Sequence, residues 1–387
     1  MLKKIIIMKT VMVLTVLTLS AVSIHACSSA VYHRGDPQMK RVEDSPNYKE
    51  GKFRNYNKWE QPSFGEFLST GWEFLFGGDK RTPESILPRK SVNLKHFTNS
   101  ASDQLNVTWL GHSSLMINID GYKILTDPVF EKSVSFFGPS RYNGDVPVDT
   151  TQLPMVDIVI ISHNHYDHLN KTSIEILAKH TGLFIVPLAV GTELEDAGVP
   201  RKKIVELDWW EEYNADQDLL IVATPAQHFS GRGLTDRDET LWASWVIKAT
   251  HHKIYFSGDT GYFDGFKKIG ERYGPFDMTF IETGAYNEKW HHIHMFPEET
   301  VQAHLDLGGS VLHPIHWATF NLSLHTWYDP MDRLTKTAEE MNVTTATPIV
   351  GETTIFGEYI PTEKWWQTVL AEKKEQKLSQ RHDDATN

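Results

Sequence analysis

The sequence predicts an α/β fold in which two mixed β-sheets lie face to face and helices cover the outside. Short apolar runs alternate with amphipathic stretches over most of the 387 residues, which indicates alternating strands and helices. The first runs are joined by hairpin signals, of which Asp120-Gly121 is the strongest. Helical segments separate the later runs, and two layered sheets with outer helices satisfy both patterns.

The strands are predicted from runs of apolar and β-branched residues. In chain order they cover residues 106–110, 114–119, 123–126, 156–162, 182–186, 219–224, 242–247, 253–257, 278–281 and 310–312. Helices are predicted at residues 171–180, 191–197, 263–272 and 297–307. The last helix has Pro297 in its first turn, followed by Glu298 and Glu299, whose negative charge complements the positive end of a helix.

The two ends of the chain are predicted to lie outside this fold. Residues 1–26 combine a basic start with a short apolar core, as a secretory signal peptide does. Residues 27–60 are polar and have little periodicity, so they are predicted to form a tether or a segment that wraps the surface. The folded domain is predicted to span residues 61–366, and residues 367–387 are predicted to be a charged, flexible tail.

The signal segment also predicts the compartment. Cys27, the only cysteine of the chain, directly follows the predicted cleavage point, and this arrangement resembles a bacterial lipoprotein signal. With Ser28 beside it, the resemblance implies an outer-membrane lipoprotein that faces the periplasm and is tethered to the membrane through lipid on Cys27. Because His25 is unusual in such a signal, a soluble periplasmic or secreted protein is the alternative. A single cysteine also excludes an internal disulfide.

The overall charge excludes one class of partner. The formal net charge is −12 at pH 7, and loss of residues 1–26, which contain three lysines and no acidic residue, makes it −15. Proteins that bind nucleic acid depend on Lys and Arg to neutralise phosphates, so no nucleic-acid partner is expected. An anionic substrate would instead need local positive charge, which divalent metal ions supply. Nothing in the sequence indicates the oligomeric state.

The most informative motif is His163-Asn164-His165-Tyr166-Asp167-His168, directly after the strand predicted at 156–162. Imidazole nitrogens and carboxylate oxygens are the usual ligands of zinc and similar divalent ions. His228, Asp259 and His316 each follow another predicted strand. Taken singly, each of these three could be an ordinary loop, turn or core residue. Because a sheet holds the loops at its strand ends in fixed places, the combined set predicts one metal centre.

The spacing divides these candidates into two groups. Extended backbone points residues two apart in the same direction, so His163 and His165 fit one metal ion. Asp167 and His168 come after the chain has begun to turn and fit a neighbouring ion. The predicted groups are therefore His163, His165 and His228 for one ion and Asp167, His168 and His316 for the other, with Asp259 shared between them.

Beyond the metal motif, further runs resemble a known family. The metal motif, Ser257-Gly258-Asp259-Thr260-Gly261-Tyr262, His228 and His316 resemble the metallo-β-lactamase fold. Six runs resemble the N-acylphosphatidylethanolamine phospholipase D family more narrowly: Trp109-Leu110-Gly111-His112, Leu125-Thr126-Asp127-Pro128, Gly138-Pro139-Ser140-Arg141-Tyr142, Glu206-Leu207-Asp208-Trp209-Trp210-Glu211-Glu212, Tyr273-Gly274-Pro275-Phe276-Asp277 and Ile315-His316-Trp317-Ala318-Thr319-Phe320. The similarity covers roughly residues 60–330.

This resemblance implies a metallo-β-lactamase-like αββα sandwich of two mixed sheets with outer helices. It also implies a two-zinc phosphodiesterase that hydrolyses N-acylphosphatidylethanolamine or a related phospholipid to phosphatidic acid and the N-acyl head group, by attack of a metal-bridging hydroxide. Other divalent transition metals are the alternative to zinc. The family's ligands carry over to the same seven residues, and the resemblance assigns catalytic roles to Asp167, Asp259 and His294, the last for proton transfer or for holding phosphate.

Other residues are predicted to have lesser roles. His112 and Asp127 are expected to orient metal-bound side chains or to serve the structure. Arg141 is expected either to contact an anionic head group or to form an ordinary surface salt bridge. The aromatic run 64–76 is expected either to face lipid or to cover the apolar face of a sheet. His291, His292 and His325 are predicted bystanders.

Two alternative functions stay open from the sequence. One is a metal-dependent hydrolase of another ester, such as a lactone or a small phosphodiester, because this fold supports many reactions. The other is a non-enzymatic envelope lipoprotein that keeps the fold for binding. The complete set of metal ligands argues against the second alternative, since a purely structural zinc site is closed and four-coordinate.

Overall fold

The computed structural model describes residues 37–58, 64–77, 80–135, 138–233 and 235–386. The predicted signal peptide and Cys27 lie outside the described residues. The helices are α1 Pro37–Asp44, α2 Phe64–Phe76, α3 Lys95–Thr98, α4 Lys171–Leu177, α5 Gly191–Asp196, α6 Gly265–Tyr273, α7 Pro297–Leu307, α8 Asp329–Glu340 and α9 Trp365–Thr386, with short 3₁₀ turns at Thr150–Gln152 and Arg201–Lys203. The strands are β1 Tyr48–Lys49, β2 Lys52–Phe53, β3 Leu105–Trp109, β4 Leu115–Ile119, β5 Tyr122–Thr126, β6 Val156–Ile160, β7 Thr181–Pro187, β8 Ile204–Leu207, β9 Glu212–Asp216, β10 Leu219–Thr224, β11 Ser244–Lys248, β12 Lys253–Phe256, β13 Phe276–Glu282, β14 Gly309–Ile315, β15 Thr344–Thr345 and β16 Thr353–Ile355.

Two seven-stranded mixed sheets form the body. One has the order β16-β3-β4-β5-β6-β7-β8 and the other β15-β14-β13-β12-β11-β10-β9. In each sheet an antiparallel half joins a parallel half, at β5/β6 in the first and at β12/β13 in the second. Parallel strands need crossover connections, which here carry helices such as α4, α6 and α7. The predicted α/β class with two mixed sheets and outer helices is confirmed.

The main core fills the space between the two sheets. Every residue of β3 and β4 is buried, as expected for strands covered on both faces. Trp109, Trp245 and Phe280 belong to one continuous apolar cluster. Trp245 also donates its ring N–H to the Ile161 carbonyl at 3.1 Å, which ties β11 to the end of β6. Full burial of one large apolar side chain contributes about 1.5–3 kcal/mol, so the facing strands are held firmly in place.

Some of the strands that the sequence did not predict carry little apolar signal. Strand β9 has only exposed and half-buried residues, and its Glu212, Asn214 and Asp216 give no strand signal. It lies at the edge of its sheet, where pairing with β10 alone forms it. Strand β8 is not among the predicted strands, although its Ile204 and Leu207 are buried.

Residues 37–58 wrap the body, as one of the two predictions for residues 27–60 proposed. Val42 and Phe53 are buried in the main core. Arg41 donates to the Glu206 carbonyl at 2.8 Å and pairs with Glu211 at 2.6 Å. The segment is therefore anchored by both apolar and polar contacts.

The C-terminal residues differ from the predicted flexible tail. The structure has one helix, α9, from Trp365 to Thr386. Trp366 is fully buried and donates its ring N–H to Asp332 at 2.8 Å, and Lys377 pairs with Glu84 at 2.6 Å. The charged residues that suggested a tail face solvent on a helix that Trp366 holds at its first turn and Lys377 holds near its middle.

Helix α2 contains the aromatic run 64–76. Trp72 is 67% exposed and Phe74 is 37% exposed, so these two side chains do not cover a sheet. Glu73 pairs with Lys289 at 2.6 Å, and the Arg81 guanidinium lies 4.8 Å from the centre of the Phe74 ring. Among the described residues, none of the helices combines the length and apolar character needed to span a membrane.

His313 on β14 makes the acid stability of the fold testable. Its ring packs against Trp109 and Phe280, and among the described residues neither ring nitrogen has a hydrogen-bond partner. Burial lowers the pKa of His313 to about 3, against about 6.5 in an unfolded chain. The unfolded state therefore takes up this proton first, and stability is lost as the pH falls from about 6.5 towards about 3.

Between pH 7 and pH 5, the free energy of unfolding of the parent should fall. That of His313→Phe should fall by about 2 kcal/mol less. Urea unfolding of both proteins at the two pH values measures this difference. An identical loss in both proteins would contradict a neutral, buried His313.

Candidate metal centre

The predicted ligands meet at one edge of the two sheets. The strands β6, β10, β12 and β14 end at Ile160, Thr224, Phe256 and Ile315. Shortly after these ends come the motif at 163–168 and then His228, Asp259 and His316. Loops at strand ends hold side chains in fixed positions because the sheets beneath them are rigid. Residues that lie far apart in the sequence are thereby brought into contact.

The first predicted group comes together around His165. Its Nδ1 lies 2.8 Å from His163 Nε2 and 3.3 Å from His228 Nε2. His163 and His228 are buried and His165 is half-buried. The ligand atoms of these three residues lie within 4.8 Å of one another, which is close enough for one ion.

The second predicted group comes together around Asp167. Its Oδ2 lies 3.4 Å from His168 Nε2 and 3.6 Å from His316 Nε2. His112 Nε2 lies 2.8 Å from the same oxygen and can donate a hydrogen bond to it. The four ligand atoms again lie within 4.8 Å of one another. His112 therefore holds the Asp167 carboxylate in position, in agreement with the lesser role predicted for it.

Asp259 lies between the two groups. Its Oδ2 is 3.2 Å from His168 Nε2 and 3.1 Å from His316 Nε2. The same oxygen is 3.9 Å from His163 Nε2 and 3.8 Å from His228 Nε2. One carboxylate thus reaches both sets of imidazoles, which is the arrangement that the spacing predicted.

Buried partners fix the orientation of the imidazoles. Asp127 is fully buried; its Oδ2 accepts from His168 Nδ1 at 2.7 Å, and its carboxylate also accepts from the Ser162 amide and hydroxyl. His228 donates Nδ1–H to the Ile293 carbonyl at 3.0 Å. In both rings the contact leaves Nε2 directed at the centre, as is usual for metal-bound histidines.

The backbone around the site adopts conformations that side-chain-bearing residues seldom take. His112, Asp127 and His316 have φ angles of 55°, 37° and 66°. Gly258, with φ of 57°, lies so close to Ser162 that an added Cβ would be 2.4 Å from the Ser162 Cβ. Strained backbone of this kind is common at functional sites, where the fold must hold particular groups in place. Here it accompanies the close contact between the loop of Asp259 and the loop of the 163–168 motif.

Burial and charge set the pKa values inside the site. Burial lowers the pKa of His163 well below the ordinary value, so this ring is neutral. Burial alone would do the same to His168 and His316, but the carboxylates of Asp259 and Asp167 outweigh it and raise both pKa values, that of His316 to about 10. Protons thus balance the carboxylates in the metal-free protein, and a bound cation would displace them.

The site fits divalent metal ions by its donor set. His168 Nε2, Asp259 Oδ1 and both ring nitrogens of His316 are buried and have no hydrogen-bond partner among the described residues. Orphaned buried polar atoms are costly unless something pairs with them. Histidine nitrogens and carboxylate oxygens suit zinc and similar transition metals. We therefore treat this cluster as a divalent-metal centre.

His294 faces the same centre and has a partner that the sequence did not reveal. Its ring lies 5.0 Å from that of His228 and 5.4 Å from that of His316, between centroids. His294 Nδ1 contacts Glu282 Oε2 at 2.8 Å, and Glu282 Oε1 accepts from the Met295 amide at 3.2 Å. Burial, reinforced by the charge of Asp259, raises the pKa of Glu282 well above its ordinary value. The pair therefore shares a proton along this contact.

Arg141 does not have either of its predicted roles. Its side chain is buried, donates from Nε to the Glu131 carbonyl at 3.1 Å and from Nη1 to the Leu110 carbonyl at 2.9 Å, and also binds the Val129 carbonyl through Nη2. A guanidinium with all three nitrogens on backbone carbonyls cannot hold a head group or form a surface salt bridge. Arg141 instead fixes loops next to His112.

The three histidines that the sequence predicts to be bystanders lie in different surroundings. His291 contacts the Glu288 carbonyl at 3.1 Å, and His292 lies on the exposed surface. Neither belongs to a cluster of metal-type ligands in the described part of the chain. His325, in contrast, lines a cavity that also reaches His316.

Comparison with known proteins gives matches over most of this fold. The Beta-lactamase superfamily domain matches residues 122–317. An uncharacterized protein of Mycobacterium tuberculosis is 42% identical over 334 residues, which are 84% of this chain and 88% of that protein. N-acyl-phosphatidylethanolamine-hydrolyzing phospholipase D 1 of Caenorhabditis elegans is 34% identical over 273 residues, 66% of this chain and 75% of that protein.

A shorter relative and a solved structure add to these matches. Outer membrane protein RomA of Klebsiella pneumoniae is 47% identical over 102 residues, 26% of this chain and 76% of that protein. The structure of Igni18, a metallo hydrolase from the archaeon Ignicoccus hospitalis, superposes with a TM-score of 0.51 and 23% sequence identity, covering 66% of this chain and 100% of that chain. Identity this low supports the shared fold alone.

Proposed function

Because the chain belongs to the β-lactamase superfamily, and within it to the family of the Caenorhabditis elegans relative, it is a metal-dependent hydrolase, and we propose that it cleaves N-acylphosphatidylethanolamine or a related phospholipid. The bond cleaved is the phosphodiester on the head-group side. The products are phosphatidic acid and the free N-acyl head group.

One observation carries this proposal, namely the two clusters of ligand atoms that share Asp259. In our assignment two zinc ions occupy the centre. The residues that would hold them are His163, His165 and His228 for one, Asp167, His168 and His316 for the other, and Asp259 between the two. Two such ions, when bound, supply Lewis-acid stabilisation for the charge that develops on phosphoryl oxygens.

The protein's own residues prepare this chemistry in two ways. Asp127, His112 and the Ile293 carbonyl hold ligand side chains in one orientation, so little rearrangement is needed when a substrate arrives. The Glu282–His294 pair handles the proton: His294 Nε2 gives its proton to the leaving oxygen while protonated Glu282 passes its own proton to His294 Nδ1. This route needs no nucleophilic side chain, such as the serine of a Gly-x-Ser-x-Gly motif.

A panel of four lipids and esters tests the proposal. Purified protein loaded with zinc is offered N-acylphosphatidylethanolamine, phosphatidylcholine, a lactone and a generic phosphodiester. We expect phosphatidic acid from the first substrate. Turnover of the lactone alone would instead identify a hydrolase of another ester, and no turnover by a fully loaded protein would favour a binding protein of the envelope.

Glu282→Gln is expected to reduce kcat about 10- to 100-fold with little change in KM. The amide keeps the size of the side chain and its contact with the Met295 amide, but it cannot exchange a proton with His294. A flatter dependence of kcat on pH should accompany the loss. Steady-state kinetics over pH 5–9, at equal metal content, measures both effects.

His291→Gln serves as the control for this change, because His291 lies outside the ligand clusters. It should leave kcat and its pH profile unchanged. If Glu282→Gln were as active as the parent with the same pH profile, the proposed proton route would be wrong.

We also propose that the mature protein is held at the bacterial envelope by lipid on Cys27. The signal-like sequence before Cys27 and the similarity to an outer membrane protein of Klebsiella pneumoniae support this location. Tethering would keep the metal centre close to a phospholipid substrate. Incorporation of labelled palmitate, and its loss in Cys27→Ser, tests the proposal.

A further inference from the structure

A short part of the N-terminal segment crosses the loop that joins β10 to β11, which carries one of the predicted metal ligands. We call this part, residues 52–57, the strap. Near its start the Phe53 amide donates to the Asp238 carbonyl at 2.8 Å, in that loop. Near its end the Tyr56 hydroxyl accepts from Lys268 Nζ at 2.7 Å, on helix α6. The strap is therefore anchored on both sides of the loop.

One side chain of the strap binds the backbone of His228. The His228 amide donates to Asn55 Oδ1 at 3.0 Å, and Asn55 Nδ2 donates to the His228 carbonyl at 2.6 Å. Among the described residues, neither of these two His228 groups has a backbone partner. The Asn55 amide supplies one acceptor and one donor, so it pairs with His228 as a neighbouring strand pairs with a residue in a sheet.

The orientation of Asn55 is itself fixed by the core. Trp242 is buried in the main apolar cluster, and its ring N–H donates to Asn55 Oδ1 at 3.1 Å. Because only the amide oxygen accepts and only the amide nitrogen donates, the contacts with Trp242 and His228 define which way the side chain points. Asn55 is also half-buried, which limits competition from water.

Gln227 extends the contact from the strap to the loop of Asp259. Its side chain accepts from the Asn57 amide at 3.1 Å and donates to the Asn57 carbonyl at 2.7 Å. Its own amide donates to Thr260 Oγ1 at 2.8 Å, and its carbonyl accepts from the Gly261 amide at 2.9 Å. Two neighbouring residues thus connect the strap to two of the loops that carry metal ligands.

These contacts matter because the ring of His228 cannot be placed by its own hydrogen bond alone. The bond from Nδ1–H to the Ile293 carbonyl fixes the rotation of the ring. The position of the ring depends on the backbone, which lies in neither a strand nor a helix at this point. Loop backbone of this kind opens easily unless its groups are paired. Asn55 therefore determines where His228 Nε2 lies, 3.3 Å from His165 Nδ1.

We propose that Asn55 is a positioning residue of the metal centre, which holds the His228 backbone so that the ion of the first predicted group binds tightly. This inference rests on the two-ion assignment made in the proposed function. The second predicted group has no ligand in the loop between β10 and β11, so its ion does not depend on the strap. The strap also precedes residues 122–317, the part that the superfamily domain matches.

Asn55→Ala should raise the dissociation constant of one zinc ion about 10- to 100-fold and leave that of the other unchanged. Alanine leaves the His228 amide and carbonyl without their partners, while the side chains of all the ligands stay in the protein. Competition with a chelator, starting from protein with two zinc ions, measures both constants. Titration with cobalt(II) gives a second reading, because its visible absorption depends on the ligands around each ion.

Two further variants accompany this change. Asn47→Ala removes a contact of the same N-terminal segment with Asp208, at 2.9 Å, and is the control that should keep both constants. Gln227→Met keeps the size of the side chain but removes both of its contacts with Asn57, so it should raise the same constant as Asn55→Ala by a smaller factor. Urea unfolding of the metal-free proteins shows which of them are folded.

The outcomes distinguish this inference from the function on which it rests. Unchanged constants in a folded Asn55→Ala protein, or an equal rise of both, would overturn the positioning role and leave the phosphodiesterase proposal intact. If Asn55→Ala did not fold, unchanged constants in Gln227→Met would overturn it. Binding of fewer than two zinc ions by the parent would instead contradict the two-ion assignment, and the inference would fail with it.

Discussion

Asp259→Asn should reduce the release of phosphatidic acid from N-acylphosphatidylethanolamine by roughly 10³-fold or more. Asp259 Oδ2 lies within 3.2 Å of imidazole nitrogens of both His168 and His316, and within 3.9 Å of those of His163 and His228. Asparagine keeps the shape but removes the charge that both halves of the centre share. The rate is measured by product formation, and metal content by elemental analysis of the same samples.

Asp264→Asn is the matched control for this substitution. Asp264 lies five residues further along, at the surface, where it pairs with Lys268 at 2.8 Å. It should keep the parent's rate and metal content. An Asp259→Asn protein that retained the parent's rate would show that the shared carboxylate is not needed and would refute the assignment of the centre.

Arg141→Met is expected to lower the free energy of unfolding by about 3–5 kcal/mol. The guanidinium is buried and donates to the carbonyls of Glu131, Leu110 and Val129. Methionine fills much of the space but leaves all three carbonyls without that donor. Chemical denaturation by urea at pH 7.5, with metal content held equal, measures the loss.

Arg54→Met provides the comparison, because Arg54 is a surface residue paired with Glu50 at 3.3 Å, and its loss should cost little. Were Arg141 a substrate-binding residue after all, its replacement would raise KM and leave the unfolding curve in place. That result would contradict the structural role assigned to it.

The metal centre could be predicted from sequence because its signals are local. The motif at 163–168 packs four ligand-type side chains into six residues, and His228, Asp259 and His316 each follow a strand with an obvious apolar run. A sheet brings such strand ends together, so their meeting follows from the fold class. The order of strands within each sheet, in contrast, depends on long-range pairing that no local pattern encodes.

Residues whose role depends on one distant contact could not be predicted. Glu282 is the last residue of β13, and nothing in its neighbourhood indicates that it meets His294. Arg141 reads as an ordinary cation until three carbonyls are seen around it. The sequence predicts His325 to be a bystander, since only its place beside His316 in the fold distinguishes it from other histidines.

The C-terminal residues show the same limit. Their composition predicted a solvated tail, and the composition of α9 is indeed that of a solvent-facing helix. The deciding contacts are those of Trp366 with Asp332 and of Lys377 with Glu84. Pairs so far apart in sequence give no periodic signal in either segment.

The most direct test of the central claim is hydrolysis in ¹⁸O-labelled water. Zinc-loaded protein is given N-acylphosphatidylethanolamine, and both products are analysed by mass spectrometry. We expect the label in the phosphate of phosphatidic acid, none in the released N-acyl head group, and two zinc ions per active chain. Label in the head group, release of free fatty acid instead of phosphatidic acid, or full activity with one ion would contradict a two-metal phosphodiesterase.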